Sequence, residues 1–339
     1  MKQKRGISRY LLAILLLLSS VVIASCGGGD GGGDGGGGTP PAGPTPINEL
    51  YVANGSGNTI TAHGRTANGN VAALRTIGGA ATGFVYMWNI AADAVNNEII
   101  VADYNGNSVK VFNRSANGNV APIRTIAGAA TGLNSPGGIA VDTVNNEIFV
   151  ANQGADSIIV YSRTANGNVA PIRTISGAAT GLNGPGGIAV DTVNNEIVVA
   201  NWTGNSITVY SRTANGNVAP IRTISGAATG LNGPWGMAVD TVNNEIIVGN
   251  NNADSITVYS RSANGNVAPI RTIAGAATGI NDTWGLALDT ANNEIFVANW
   301  TGGSITVYSR SANGNVAPIR TIAGAATGLA GPGGIAVLW

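Results

Sequence analysis

The strongest constraint on this chain is an internal repeat of fixed length. The segment Asn-Glu-Ile-Phe-Val-Ala-Asn at 146–152 recurs with its glutamate at Glu49, Glu98, Glu147, Glu196, Glu245 and Glu294, a constant step of 49 residues. Residues 46–339 number 294, which is six such steps. Each copy holds four short apolar runs, for example 187–191, 196–200, 206–210 and 218–224, separated by Asn-Asn, Asn-Gly and Gly-Pro pairs. Runs rich in β-branched residues between turn formers predict four antiparallel strands per copy, here termed a to d. Beyond the N-terminus, no window carries the periodicity of an amphipathic helix.

Four strands in about 50 residues is the size of a propeller blade, whereas a rung of a β-solenoid is about half that. The two ends of the repeat region point the same way. The first copy begins at a strand b (Glu49-Leu50-Tyr51-Val52-Ala53), and the last stops after a strand a (Gly334-Ile335-Ala336-Val337). A C-terminal strand a that completes the N-terminal blade would close a six-bladed, all-β propeller over 47–339. The middle of strand a is alanine in every copy (Ala91, Ala140, Ala189, Ala238, Ala287, Ala336), as expected where blades converge on an axis. Pro122, Pro171, Pro220, Pro269 and Pro318 fall within the predicted strand d, which makes d the outer edge, and the arginines beside them (Arg75 to Arg320) are expected to discourage edge-to-edge pairing. A second arginine series, Arg65 to Arg310, follows strand c and is expected to meet the glutamates in exposed, weak pairs.

The repeat Gly-Gly-Ile-Ala-Val-Asp, Asn-Glu-Ile-Phe-Val-Ala-Asn, Ser-Ile-Thr-Val-Tyr-Ser resembles the NHL repeat and its six-bladed relatives, and secondarily the YVTN-type surface-layer propellers. The resemblance implies the fold but no single activity, because such propellers include scaffolds, sensors and enzymes.

Ahead of the repeats, Met1 to Arg9 is short and positive, and Tyr10 to Ile23 is an almost unbroken apolar run of 14 residues. That run is short for a membrane span and suits a secretory signal. It ends in Ile23-Ala24-Ser25-Cys26, which resembles the lipobox of bacterial lipoproteins and implies cleavage before Cys26 and lipidation of its sulfur. Residues 1–25 thus read as a signal peptide. Residues 26–46, rich in glycine and then proline, read as a tether spanning about 25 Å on average. The expected location is the bacterial cell envelope, with the chain held to a membrane by the lipid on Cys26.

Charge narrows the partners. The chain has 17 basic and 17 acidic residues, but Lys2, Lys4, Arg5 and Arg9 lie in the signal, leaving 13 minus 17, or −4, on the remainder. Charged residues are 10% of the chain, and no basic cluster offers a footprint for nucleic acid. The single cysteine rules out an intramolecular disulfide.

Differences between near-identical copies indicate where function lies. Just before the apolar core of strand a the copies read Trp88, Gly137, Gly186, Trp235, Trp284 and Gly333, and in the b-to-c loop Gly55, Tyr104, Gln153, Trp202, Asn251 and Trp300. A packed position does not ordinarily exchange glycine for tryptophan, so these side chains are expected to face solvent or a ligand. The d-to-a and b-to-c loops share one face, where Asp103, Asp156, Asp254 and Asp282 occur and no lysine or arginine does. Trp88, Tyr104, Trp202, Trp235, Trp284 and Trp300 are therefore the candidate ligand site, suited to a glycan or a peptide.

Enzymatic readings are less well supplied. Strand b ends in Asn54, Asp103, Asn152, Asn201, Asn250 and Asn299, a ring of oxygen donors that could take calcium if turned inward, as the resemblance to gluconolactonase-type propellers implies. The bland alternative is that these side chains bond local backbone. His63, the only histidine, stands where other copies have Phe112, Tyr161, Tyr210, Tyr259 and Tyr308 and reads as a packing substitution. No catalytic set is assembled from these residues. The expectation is a binding or scaffolding module without a required cofactor, with a metal-dependent lactonase-like hydrolase and a ligand-free spacer as alternatives.

Overall fold

The computed structural model describes residues 48–339. The signal peptide, Cys26 and the tether through residue 46 lie outside the described residues. Six four-stranded antiparallel sheets account for nearly all regular structure, and the only helices among the described residues are single 3-10 turns. Blade 1 comprises Pro332–Leu338, Glu49–Asn54, Thr59–Gly64 and Arg75–Gly78, in that spatial order from a to d. Blades 2 to 6 follow in the chain at 87–127, 136–176, 185–225, 234–274 and 283–323. The C-terminal strand pairs with the N-terminal one in antiparallel register, Tyr51 opposite Ala336 and Val52 opposite Ile335. The predicted closure of the ring is thus present.

The core lies between blades. Phe149, Val160 and Ile175 of blade 3 pack with Ile188, Ile197 and Tyr210 of blade 4, and an equivalent cluster joins blade 6 to blade 1 through Phe296, Ile305, Leu50 and Ile335. Each such side chain removed from water contributes about 1.5–3 kcal/mol. A blade without neighbours would leave both of its faces wet, so cohesion depends on the closed ring.

Strand d is shorter than the sequence suggested. It begins at the arginine, as in Arg222–Ser225, and the prolines stand in the extended approach to it. The outer edge is protected differently from expectation. The Asn-Gly-Asn loop of each blade lies on strand d of the preceding blade: Gly118 N–H donates to Thr76 O at 2.7 Å, Thr76 N–H to Asn117 Oδ1 at 3.0 Å, and Ala81 N–H to Asn119 Oδ1 at 2.7 Å. Gly118 adopts φ 80°, which favours glycine there. The same contact runs from Gly69 of blade 1 to Thr321 of blade 6, so the edge is covered all the way round.

The arginine series are likewise more than surface decoration. Arg222 grips Glu196 of its own blade with both Nη atoms at 2.8 and 2.7 Å, and Arg261 of the next blade reaches the same carboxylate at 3.0 Å. All six glutamates are held this way, by the arginine 26 residues on and by that of the following blade. The side chains in these pairs are 8–23% exposed, so the expectation of exposed, weak pairs is corrected to a largely buried belt that joins blades. The aspartate ending strand a accepts from the Asn-Asn turn beyond it, Asp191 from Asn194 N–H at 2.8 Å, which makes the Asp-Thr-Val-Asn-Asn-Glu segment a hairpin turn.

Candidate functional site

The second residue of each strand a sits near the axis at the end of the propeller formed by the d-to-a and b-to-c loops. Three of these residues are tryptophans, and they meet. Trp235 presents its ring edge-on to Trp88 and Trp284, with centroids 4.7 Å apart in both cases, and Trp88 and Trp284 are 4.9 Å apart. Trp202 approaches Trp235 at 6.2 Å, Trp300 approaches Trp284 at 6.1 Å, and Tyr104 stacks on Trp88 at 4.1 Å. All six predicted aromatic residues therefore belong to one connected cluster. Tyr86 joins it at 6.0 Å from both Trp88 and Trp300.

Tyr86 was missed by sequence reasoning. It occupies a d-to-a loop position held by Ser135, Gly184, Gly233, Asp282 and Gly331 in the other copies, the same kind of small-to-aromatic exchange that marked the tryptophans.

The expectation that these rings face solvent or a ligand fits the half-buried Trp88, Tyr104, Trp202, Trp284 and Trp300 and fails for Trp235, which is 1% exposed. The glycines explain how a packed position tolerates both residue types. A Cβ on Gly186 would stand 2.5 Å from the Trp235 ring, and one on Gly55 would stand 2.6 Å from the Trp300 ring. Glycine in one blade is the space occupied by tryptophan from its neighbour, a complementarity between adjacent blades that no single repeat reveals.

Polar support is concentrated on Asp282. Its Oδ1 accepts Trp284 Nε1–H at 2.9 Å and the amide of Asn251, and its Oδ2 accepts the Thr301 hydroxyl at 2.7 Å. This carboxylate fixes the rotamer of Trp284 and links the loops of blades 5 and 6. The indole N–H of Trp202 is buried without a partner.

Beneath the ring layer lies an axial cavity of about 90 Å³, bordered by Ile90, Ile139, Ile188, Met237, Leu286 and Ile335, one from each blade. Asn89 adds the one polar side chain of its lining and stands where the other copies have glycine. The strand b ring does not reach this cavity. Asn54, Asp103, Asn152, Asn201, Asn250 and Asn299 are all fully buried inside their own blades. Asn201 Oδ1 accepts Asn183 N–H at 3.2 Å while its Nδ2 donates to Thr208 Oγ1 at 3.0 Å, and Asn54, Asn250 and Asn299 repeat the pattern. Asn152 bonds Asn134 N–H and Ser157, and Asp103 accepts Tyr86 N–H at 2.9 Å and the ammonium of Lys110. Their oxygens hold local backbone, so these residues do not fit a coordinating ring for calcium.

His63 is 1% exposed in the slot of the strand c tyrosines, with both ring nitrogens lacking partners, and burial holds its pKa below the usual imidazole value. This is the geometry of a packing substitution.

Fold and site together define a six-bladed propeller of 49-residue repeats with an aromatic layer closing one end of its axis. A family described as "Lactonase, 7-bladed beta-propeller" matches residues 167–281, a little over two of the six repeats. No curated protein matches the chain. Among solved structures, the chain is similar to a chain of a nidogen/laminin complex, with 15% identity, a TM-score of 0.60, and coverage of 86% of this chain and 98% of that one. It is also similar to a functionally unknown protein from Desulfotomaculum acetoxidans (13% identity, TM-score 0.57, 86% and 99% covered) and to a protein of unknown function from Bacteroides caccae (12% identity, TM-score 0.61, 86% and 98% covered). At these identities the likeness is one of fold.

Proposed function

We propose that this chain is a lipoprotein tethered to a bacterial cell envelope through Cys26, and that its propeller is a binding module recognising an extracellular glycan or peptide through the aromatic end. The observation that carries the reading is the cluster of seven rings, drawn from four blades and gathered at one end of the axis, on a face whose loops contain no lysine or arginine. Rigid rings offer large contact area at little entropic cost, and their flat faces suit sugars and apolar side chains. The described chain enters blade 1 at the start of strand b, at the opposite end of the propeller from the rings. A titration of intrinsic tryptophan fluorescence with oligosaccharides, peptidoglycan fragments and peptides tests this. A saturable change that is lost in Trp284→Ala supports it, and a flat response to every probe refutes it.

The family match favours one second reading, a lactonase-like hydrolase. Its test is hydrolysis of lactones and esters with and without calcium, and turnover abolished by a chelator would establish it over the binding module.

A further inference from the structure

The arginine belt is unbalanced at one seam, the one between blades 1 and 2. At the other five seams two guanidiniums are matched by two carboxylates, the glutamate that opens strand b and the aspartate that ends strand a (Asp93, Asp142, Asp191, Asp240 or Asp289). In four of those seams the aspartate lies 3.3–3.9 Å from the arginine of the following blade. Blade 1 has Leu338 in its place, so among the described residues Arg75 and Arg114 share Glu49 alone. The Tyr51 hydroxyl donates to Glu49 and stays neutral, because burial pushes its pKa up to about 12. Two guanidiniums, one carboxylate and a neutral phenol leave one positive charge uncompensated.

The same seam is the more open one. Arg114 Nη1 stands 3.3 Å from Glu49, against 2.8–3.0 Å for the equivalent pair at the other five seams. The Arg75 and Arg114 side chains are 23% and 21% exposed, whereas their counterparts are 11–20% exposed. A recess of about 200 Å³ opens here, lined by Glu49, Arg75, Arg114 and the exposed Ser115. Both guanidiniums therefore border space that solvent reaches. Strand b begins at Glu49, so the recess lies at the end of the propeller opposite the rings.

From this imbalance we infer that the recess is a binding site for a monocarboxylate. The planar guanidinium presents its N–H groups in a fork that matches the two oxygens of a carboxylate, and such charge-assisted bonds are about twice as strong as neutral ones. Glu49, on the same wall, sets the class: one negative charge restores the two-to-two balance of the other seams, while the second charge of a phosphate dianion meets repulsion from Glu49. The site is separate from the aromatic end and does not depend on what binds there.

The test is a titration of the whole chain with propionate, in buffer free of carboxylate and phosphate and at constant ionic strength, followed by the NMR signals of the arginine Nε–H groups. Propionamide, of the same shape without the charge, is the reference, and the Arg114 signal is identified by its loss in Arg114→Gln. The expected result is a saturable shift of the Arg114 signal with propionate and binding of propionamide weaker by about tenfold or more. Leu338→Asp restores the carboxylate of the other blades without altering a lining residue and should weaken propionate binding to a similar degree. Melting curves establish that each variant is folded, and the comparison of propionate with its amide needs no variant. Displacement of propionate by a peptide whose only acidic group is its C-terminal carboxylate also supports the inference and places the carboxylate on a peptide. Equal binding of propionate and propionamide overturns the inference in favour of an uncharged recess. Tighter binding of inorganic phosphate than of propionate overturns the monocarboxylate class. Undiminished binding in folded Leu338→Asp overturns the charge imbalance as its basis. No saturable shift with propionate overturns the site outright and leaves the reading of the aromatic end untouched.

Discussion

Arg65 of the first blade donates to Glu294 of the sixth at 2.8 Å, so the ion pair across the closure of the ring is the one that joins every other pair of neighbouring blades. Arg65 also lies 3.3 Å from the buried Asp289. Its counterpart Arg114 meets Glu49 at 3.3 Å and has no second carboxylate, because Leu338 stands where the other five copies have aspartate. Arg65→Ala is therefore expected to cost about 2 kcal/mol, and Arg114→Ala about 1 kcal/mol. Urea denaturation of the two variants checks the order, and a larger loss in Arg114→Ala would contradict it.

The belt also sets an acid limit. The Arg222, Arg271 and Arg320 guanidiniums hold Glu196, Glu245 and Glu294 below the ordinary carboxylate range, outweighing burial. For Glu49 and Glu98 burial is the largest single influence and pushes upward, but for Glu98 the hydrogen bonds and charges of Arg124 and Arg163 prevail, and for Glu49 the hydrogen bonds of Arg75 and Tyr51 with the charges of Arg75 and Arg114. Since the folded state favours the ionised form, this stability is complete above the unfolded glutamate value of about 4.3 and is lost as pH falls through the lower folded values. Melting temperatures should drop below about pH 4, less steeply in Glu196→Gln/Glu245→Gln. An acid limb of unchanged slope in that variant would remove the belt as its cause.

His63 predicts a separate transition at higher pH. Burial keeps the folded imidazole neutral, whereas the unfolded one takes up a proton near pH 6.5, so stability declines as pH falls below about 6.5. In blade 6 the equivalent Tyr308 hydroxyl donates to Thr278 O at 2.6 Å, and Thr327 is the corresponding residue for blade 1. His63→Tyr should gain about 1 kcal/mol by supplying that hydrogen bond and abolish the slope between pH 6.5 and 5. A variant that keeps the slope would show that another group titrates there.

Blade 2 replaces a neutral pair by a charged one. Asn201 and Thr208 of blade 4 become Asp103 and Lys110, fully buried and 7% exposed. Lys110→Thr alone strands a buried carboxylate and should cost about 3 kcal/mol, while Asp103→Asn/Lys110→Thr restores the arrangement of the other blade and should recover most of it. Additive losses in the double-mutant cycle would mean that the two residues do not act as a pair.

The architecture was legible because it is written six times: the 49-residue step, the turn signals and the split first blade specify strands, blades and closure without reference to distant contacts. What the repeat concealed were relations between copies. The arginines looked exposed in one blade, yet Arg261 is covered once Glu196 of the preceding blade is beside it. The edge guard appeared to be proline and arginine within strand d, whereas the Asn117-Gly118-Asn119 loop of the next blade does that work. Glycine and tryptophan at one register position implied solvent, although Gly186 and Trp235 are complementary surfaces of a single contact. Tyr86 and Asp282, at one loop position of different copies, act through neighbours that a linear reading cannot place beside them.

That contact separates packing from recognition within one cluster. Trp235 is 1% exposed, while Trp300 is half-buried at the margin of the layer. Replacing Trp235 by alanine leaves a cavity under Trp88 and Trp284 and should cost about 3–5 kcal/mol. Gly186→Ala must displace the same ring, whose Cε3 is 2.5 Å from the new methyl, and should cost about 1–3 kcal/mol. Trp300→Ala, which removes a half-buried ring packed on Gly55, should cost less than Trp235→Ala, about 1–3 kcal/mol, and act on ligand response as well. Acrylamide quenching provides an independent reading: one component of the six-tryptophan emission should resist the quencher and disappear in Trp235→Phe. If that component survives, Trp235 is not the buried wedge, and the rings it supports are not held in place from below.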